Sequence, residues 1–120
     1  MMGLTLFASL SLSAALAGQK KKPPVKAPPK DTKAMIAAGK KVYNANMCGG
    51  CHKIDGNGGD SGPALDSTGV DPKHTAKWFA EQIKTPKSHK ADSVMPEYKD
   101  KIKGKDLDNL VAYMVSLKKK

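Results

Sequence analysis

Cys48, Gly49, Gly50, Cys51 and His52 run consecutively, placing two thiols three residues apart with an imidazole directly after the second. This spacing supports several kinds of chemistry. On a helical turn, residues three apart face the same way, so both thiols can meet the two vinyl groups of a heme while His52 projects toward the iron. Cys-x-x-Cys-His is the attachment signature of c-type heme. A dithiol redox pair would use the same cysteines, but such pairs accompany a βαβ pattern, and no convincing alternating strand occurs here. A zinc site would need His74 or His89 as fourth ligand, and the adjacency of Cys51 and His52 is awkward for closing a tetrahedron. A structural disulfide would close only a tiny loop and constrain the unfolded chain little. Two Cys and three His scattered over 120 positions would fall into this order roughly once in 2,400 arrangements. The motif is therefore read as a heme site.

Such a site needs elements to position it. Met35, Ile36, Gly39, Val42 and Tyr43 line one face of a helix over Ala34 to Asn46, with Asp31 or Thr32 as its cap. Leu107, Leu110, Val111, Met114 and Leu117 repeat the stripe near the end of the chain, with Asp106 and Asp108 expected in the first turn and Lys118 to Lys120 at the last, as the helix dipole favours. A third helix is expected over Thr75 to Lys84, where Trp78, Phe79 and Ile83 share a face and Pro86 stops the run. Between the first two helices in chain order lies a loop rich in Gly, Asp, Ser and Pro, Ile54 to Pro72. Loops beyond about 12 to 15 residues usually wrap around something. With 39% hydrophobic and only 5% aromatic residues, the protein core is also modest, and a bound prosthetic group accounts for both features.

The 120-residue length favours one small domain and excludes a two-lobed enzyme. Leu4 to Leu16 is uncharged and mostly apolar and is followed by Ala17, so residues 1–17 are expected to be a cleaved secretory signal. A helix of that length reaches roughly 20 Å, short of the roughly 30 Å hydrocarbon core, so no stable membrane span is expected. Met1-Met2-Gly3 lacks the basic residues of a signal's first region, which places the expected translation start upstream. Residues 18–30 hold five Lys and four Pro and are expected to form a disordered tail, leaving 31–120 as the folded unit. The formal charge is +10, and all 21 cations are Lys. The absence of Arg forks argues against a sequence-reading nucleic-acid module.

Residues 31–120 resemble the small class I monoheme cytochromes c. The resemblance rests on Cys48-Gly49-Gly50-Cys51-His52, on Gly62-Pro63-Ala64-Leu65, on Met95-Pro96, and on Gly39 and Tyr43 facing a last helix with Leu110 and Tyr113. It implies an all-α fold of three to four helices around one covalently attached heme c, with the first and last helices crossing at Gly39. His52 would ligate the iron through Nε2 while Pro63 accepts from its Nδ1–H, and Leu65 would pack on the porphyrin; a rigid turn and ordinary core are the plainer roles of Pro63 and Leu65. Met95, biased toward an extended conformation by Pro96, is the expected sixth ligand. Met35 and Met114 belong to core stripes, and Met47 is too close to the motif to reach the opposite face. His74 and His89 are the rivals of Met95 for that position, each expected instead to be a solvated surface residue. Trp78 would reach a heme propionate or fill the core, and Tyr98 would close over the Met95 side.

The expected function is that of a periplasmic or secreted one-electron carrier, monomeric and not an enzyme. With His52 and Met95 both on the iron, no open position remains for oxygen or peroxide. The alternative is a small-gas sensor or weak peroxidase in which Met95 leaves the iron. Lys53, Lys84, Lys87 and Lys90 are either a solvated face or a docking patch for redox partners with acidic surfaces. Association with anionic membrane surfaces is the other use of the charge.

Overall fold

The computed structural model describes residues 32–120. The expected signal over 1–17 and tail over 18–30 lie outside the described residues, as does Asp31. In chain order the elements are α1 (Thr32–Ala45), β1 (Lys53–Ile54), β2 (Asn57–Gly58), α2 (Ala76–Lys84) and α3 (Gly104–Ser116), with single 3-10 turns at Cys48–Gly50, Thr68–Val70 and Pro86–Ser88.

The three expected helices form at the expected places. Thr75 caps α2 by accepting from the Trp78 backbone N–H at 3.1 Å, satisfying one of the donors that a helix start leaves open. Pro86, fully buried, begins the turn that follows α2. The close of α3 differs from expectation: the helix stops at Ser116, so Lys118 to Lys120 lie beyond its last turn. The chain is drawn away there by contacts with the long loop, where Lys119 N–H donates to the Asp66 carbonyl at 2.9 Å and Lys119 Nζ pairs with Asp55 at 3.1 Å.

The apolar stripes of α1 and α3 meet in an edge-on contact between Tyr43 and Tyr113, with ring centres 5.7 Å apart. Gly39 makes their approach possible. A Cβ there would sit 2.6 Å from the Asn109 carbonyl carbon and 2.8 Å from Tyr113 Cβ. The core comprises Tyr43, Phe79, Ile83, Ile102, Leu110, Val111, Tyr113 and Met114, and each such burial contributes roughly 1.5–3 kcal/mol. Met114 is thus core, as its stripe predicts.

β1 and β2 pair antiparallel, with Lys53 opposite Gly58 and Ile54 opposite Asn57. The turn between them, Asp55 (φ 51°) and Gly56 (φ 77°), has positive φ at both positions, as a tight type I′ hairpin requires. Two-residue strands leave no alternation to read in a sequence, which is why this hairpin escapes a periodicity argument.

Candidate functional site

The cysteines and His52 follow directly from α1. Met47 adopts a left-handed conformation (φ 57°) that ends the helix and turns the chain into the Cys48–Gly50 turn. The His52 N–H donates to the Cys48 carbonyl at 3.1 Å, so the motif is one coiled loop rather than an extended segment. Both thiols are free, Cys48 half-buried and Cys51 exposed. Burial pushes the Cys48 thiol up, against the lowering effect of its own backbone hydrogen bond.

The imidazole of His52 is fixed from outside the motif. Its Nδ1 lies 2.8 Å from the Pro63 carbonyl. A carbonyl only accepts, so Nδ1 carries the proton, and Nε2 of the neutral ring is left with a lone pair for a metal. Gly62 allows this contact: a Cβ there would stand 2.6 Å from His52 Cε1 and 2.8 Å from Nδ1. The loop is held in register by Gly62 N–H donating to the Cys51 carbonyl at 2.8 Å and Leu65 N–H donating to the Lys53 carbonyl at 2.9 Å. Leu65 is half-buried against the core.

Three further residues shape the motif: Tyr43, which the sequence marks only as a helix-face residue, and Gly58 and Gly59, which escape sequence reasoning. The Tyr43 hydroxyl donates to the His52 carbonyl at 3.3 Å, and burial, then the neighbouring Cys48 and Tyr113, pushes its phenol up to about 12. Gly58 and Gly59 lie against the motif's backbone, Gly59 N–H donating to the Gly49 carbonyl at 2.9 Å. A Cβ on Gly58 would come 2.9 Å from the Gly49 oxygen, and one on Gly59 would come 2.9 Å from the Gly50 carbonyl carbon. The run Gly56-Asn57-Gly58-Gly59 was their available signal.

Met95 sits in the irregular segment between α2 and α3 and is half-buried. Its N–H donates to Ser93 Oγ at 3.3 Å, and Gln82 Nε2 donates to its sulfur at 3.7 Å. Tyr98 is half-buried, with its N–H on the Ile83 carbonyl at 3.1 Å. Burial, then Cys48 and Cys51, pushes its phenol up.

Trp78 is half-buried and stacks between two imidazoles, His74 at 4.0 Å and His89 at 4.7 Å between ring centres. This corrects the expectation that His74 is solvated; His89 remains an exposed residue, with only its ring covered. Their side chains are only 23% and 21% exposed. His74 Nδ1 lies 2.8 Å from the Thr68 carbonyl, and His89 Nδ1 lies 2.8 Å from Gln82 Oε1. The cause is Trp78 itself, whose two wide faces are covered better by flat rings than by water. The expected lysine patch is also only partly free. Lys53 pairs with Asp60 at 2.6 Å and Lys90 with Asp92 at 3.9 Å, whereas Lys84 and Lys87 have no ion-pair partner among the described residues.

The donor set fits a covalently held heme. Two unbridged thiols stand three residues apart, the adjacent imidazole has its Nδ1 committed to Pro63, and glycines admit close backbone approach around it. Among the described residues no cluster of three or more His, Cys, Asp or Glu could hold a bare metal ion. The model of the family described as cytochrome c oxidase, cbb3-type, subunit III matches residues 34–114. Over 97 residues the chain is 32% identical to the cytochrome c oxidase subunit 2 of Alkalihalophilus pseudofirmus, a match that covers 72% of this chain and 27% of the relative. The chain thus spans about a quarter of that relative's length. No solved structure matches. The matched span runs from α1 through the Cys-x-x-Cys-His motif to the core of α3, and the chain belongs to the cbb3-type cytochrome c family, class I monoheme c-type cytochromes that bind covalent heme c and carry electrons.

Proposed function

We propose that the protein is a one-electron carrier with a single heme c joined to Cys48 and Cys51 and held by His52 and Met95 as axial ligands. When bound, the heme supplies the ferric–ferrous couple. The observation that carries the reading is the Nδ1 contact of His52 with Pro63, which commits one ring nitrogen and leaves Nε2 for the iron. The carbonyl also draws the Nδ1 proton and raises the basicity of the ring, favouring the oxidised state. Met95, held at its backbone by Ser93 and at its sulfur by Gln82, offers a soft thioether that raises the potential relative to a second imidazole. Pro63 orients His52, Leu65 and Tyr98 exclude water, and Trp78 borders the same site. No substrate bond is made or broken, and the protein is not an enzyme on its own.

The proposed location is periplasmic or extracellular, supported by the signal-like residues 1–17 and by the place where heme is joined to such motifs. No helix among the described residues is long and apolar enough to cross a membrane. The partners are redox proteins with acidic surfaces, met through unpaired lysines such as Lys84 and Lys87. Met47 and Val94 are 78% and 87% exposed and adjoin Cys48 and Met95 in sequence, adding apolar contact beside the site. The names of the family and of the relative favour a terminal oxidase as the acceptor.

Protein made in a host with heme-attachment machinery tests the assignment. Its heme is expected to survive acid–acetone extraction, and the untreated ferrous protein is expected not to bind carbon monoxide. Extractable heme refutes the thioethers. Carbon monoxide binding refutes the closed carrier and favours a sensor or weak peroxidase. Electron transfer to an acidic partner is expected to slow as ionic strength rises; a flat or rising rate refutes the docking surface.

A further inference from the structure

Gln82, on the last turn of α2, bridges two groups that are distant in sequence. Its Oε1 lies 2.8 Å from His89 Nδ1, and its Nε2 lies 3.7 Å from Met95 Sδ. A thioether sulfur only accepts, so it takes the amide's N–H end and leaves the oxygen for His89, which must donate from Nδ1. The imidazole belongs to an exposed residue, and its ring is held by neighbours. One face stacks on Trp78, with the ring planes 9° apart, and Glu81 Oε2, 3.4 Å from Nε2, adds to the hold when that nitrogen also carries a proton.

We propose that Gln82 is a positioning residue for Met95: clamped by His89, it aims an N–H at the thioether and thereby fixes which sulfur lone pair faces the iron. The proposal rests on the reading of Met95 as the sixth ligand. Methionine has three rotatable bonds and no strong directional preference of its own. A hydrogen bond on one lone pair restricts the rotation and leaves the other pair for the metal. The N–H dipole also turns its positive end toward the iron, which opposes the charge gained on oxidation and raises the potential. α2 does not need this amide for its backbone, and an apolar side chain of similar length would fill the same space.

The test uses the heme-loaded protein and two variants. Gln82→Leu removes the donor, whereas His89→Phe keeps a flat ring on Trp78 and removes only the Nδ1 clamp. In both, the midpoint potential is expected to fall, and displacement of Met95 from ferric iron by imidazole is expected to accelerate. For Gln82→Leu the acceleration is about five-fold, equivalent to one ordinary hydrogen bond. The double variant is expected to behave like Gln82→Leu alone, because His89 acts through Gln82. Unchanged potential and displacement rate in Gln82→Leu, with the sulfur-to-iron absorption band retained, overturn the proposal and leave Met95 as ligand. Additive effects in the double variant overturn the clamp. If Gln82→Leu does not fold, an unchanged His89→Phe overturns it equally. A wild-type protein without the sulfur-to-iron band instead overturns the Met95 reading itself.

Discussion

Substituting Gly62 by Ala isolates the contact between the long loop and His52. The φ of Gly62 is not in the left-handed region, so Ala is tolerated by the backbone and the perturbation is steric. The new methyl would sit 2.6 Å from Cε1, 2.8 Å from Nδ1 and 3.2 Å from Nε2 of the imidazole. Carbon atoms pack at about 3.5–4.0 Å, so a gap of about 1 Å must open. The ring cannot yield cheaply, because Pro63 holds Nδ1 and, in the proposed reading, iron holds Nε2. The loop therefore retreats and carries the neighbouring Pro63 carbonyl with it. A 2.8 Å hydrogen bond lengthened by that amount is lost. Overpacking costs about 1–3 kcal/mol and the bond about 1 kcal/mol, for a total near 3 kcal/mol. For a domain of this size that lowers the melting temperature by on the order of 15 °C. The lost bond also removes a preference for ferric iron and raises the potential, by at most about 40 mV if the whole of about 1 kcal/mol distinguished the two oxidation states at 59 mV per tenfold change. Thermal unfolding followed at the heme band, together with a redox titration, measures both. A Gly62→Ala protein with the melting temperature and potential of the wild type would refute the placement of the loop on the ring.

At the helix crossing, Gly39→Ala drives a methyl into the Asn109 carbonyl, a backbone group that cannot rotate away. A strain of about 3 kcal/mol, offset by about 1 kcal/mol of helix propensity, gives a net loss near 2 kcal/mol in guanidinium unfolding; equal or greater stability would refute the close crossing. Met95→Ala is expected to keep the heme attached, lose the sulfur-to-iron band and bind carbon monoxide when reduced, and a retained band would assign the ligand to another residue. Burial, followed by Asp55, pushes the Tyr113 phenol above its ordinary value of 10.0. Its contribution to stability is therefore complete below pH 10 and is lost as pH rises through the folded value, because only the unfolded chain ionises readily there. Denaturant titrations at pH 9 to 12 are expected to show a shallower decline for Tyr113→Phe than for the wild type, and identical slopes would refute it.

The heme motif was legible because its chemistry is local: Cys48, Cys51 and His52 are placed relative to one another by one turn of backbone. The stripes of α1 and α3 were legible for the same reason, as was Thr75 at the start of α2. The resemblance that named Pro63 and Gly39 anticipated contacts that the structure places at His52 and Asn109. The β1–β2 hairpin left only its Asp55-Gly56 turn in the sequence, since two-residue strands carry no period. Other features belong to the tertiary structure alone. Trp78 draws in His74 and His89, Gln82 reaches Met95 across thirteen positions, and Lys119 ties to Asp55 across sixty-four. These pairs exist because loops close over a shared core, and closure depends weakly on loop length and not at all on a local pattern. A histidine four residues before a tryptophan reads the same whether it stacks or is solvated. Only the packing of α2 against the loop at Thr68, whose carbonyl meets His74 Nδ1, decides which.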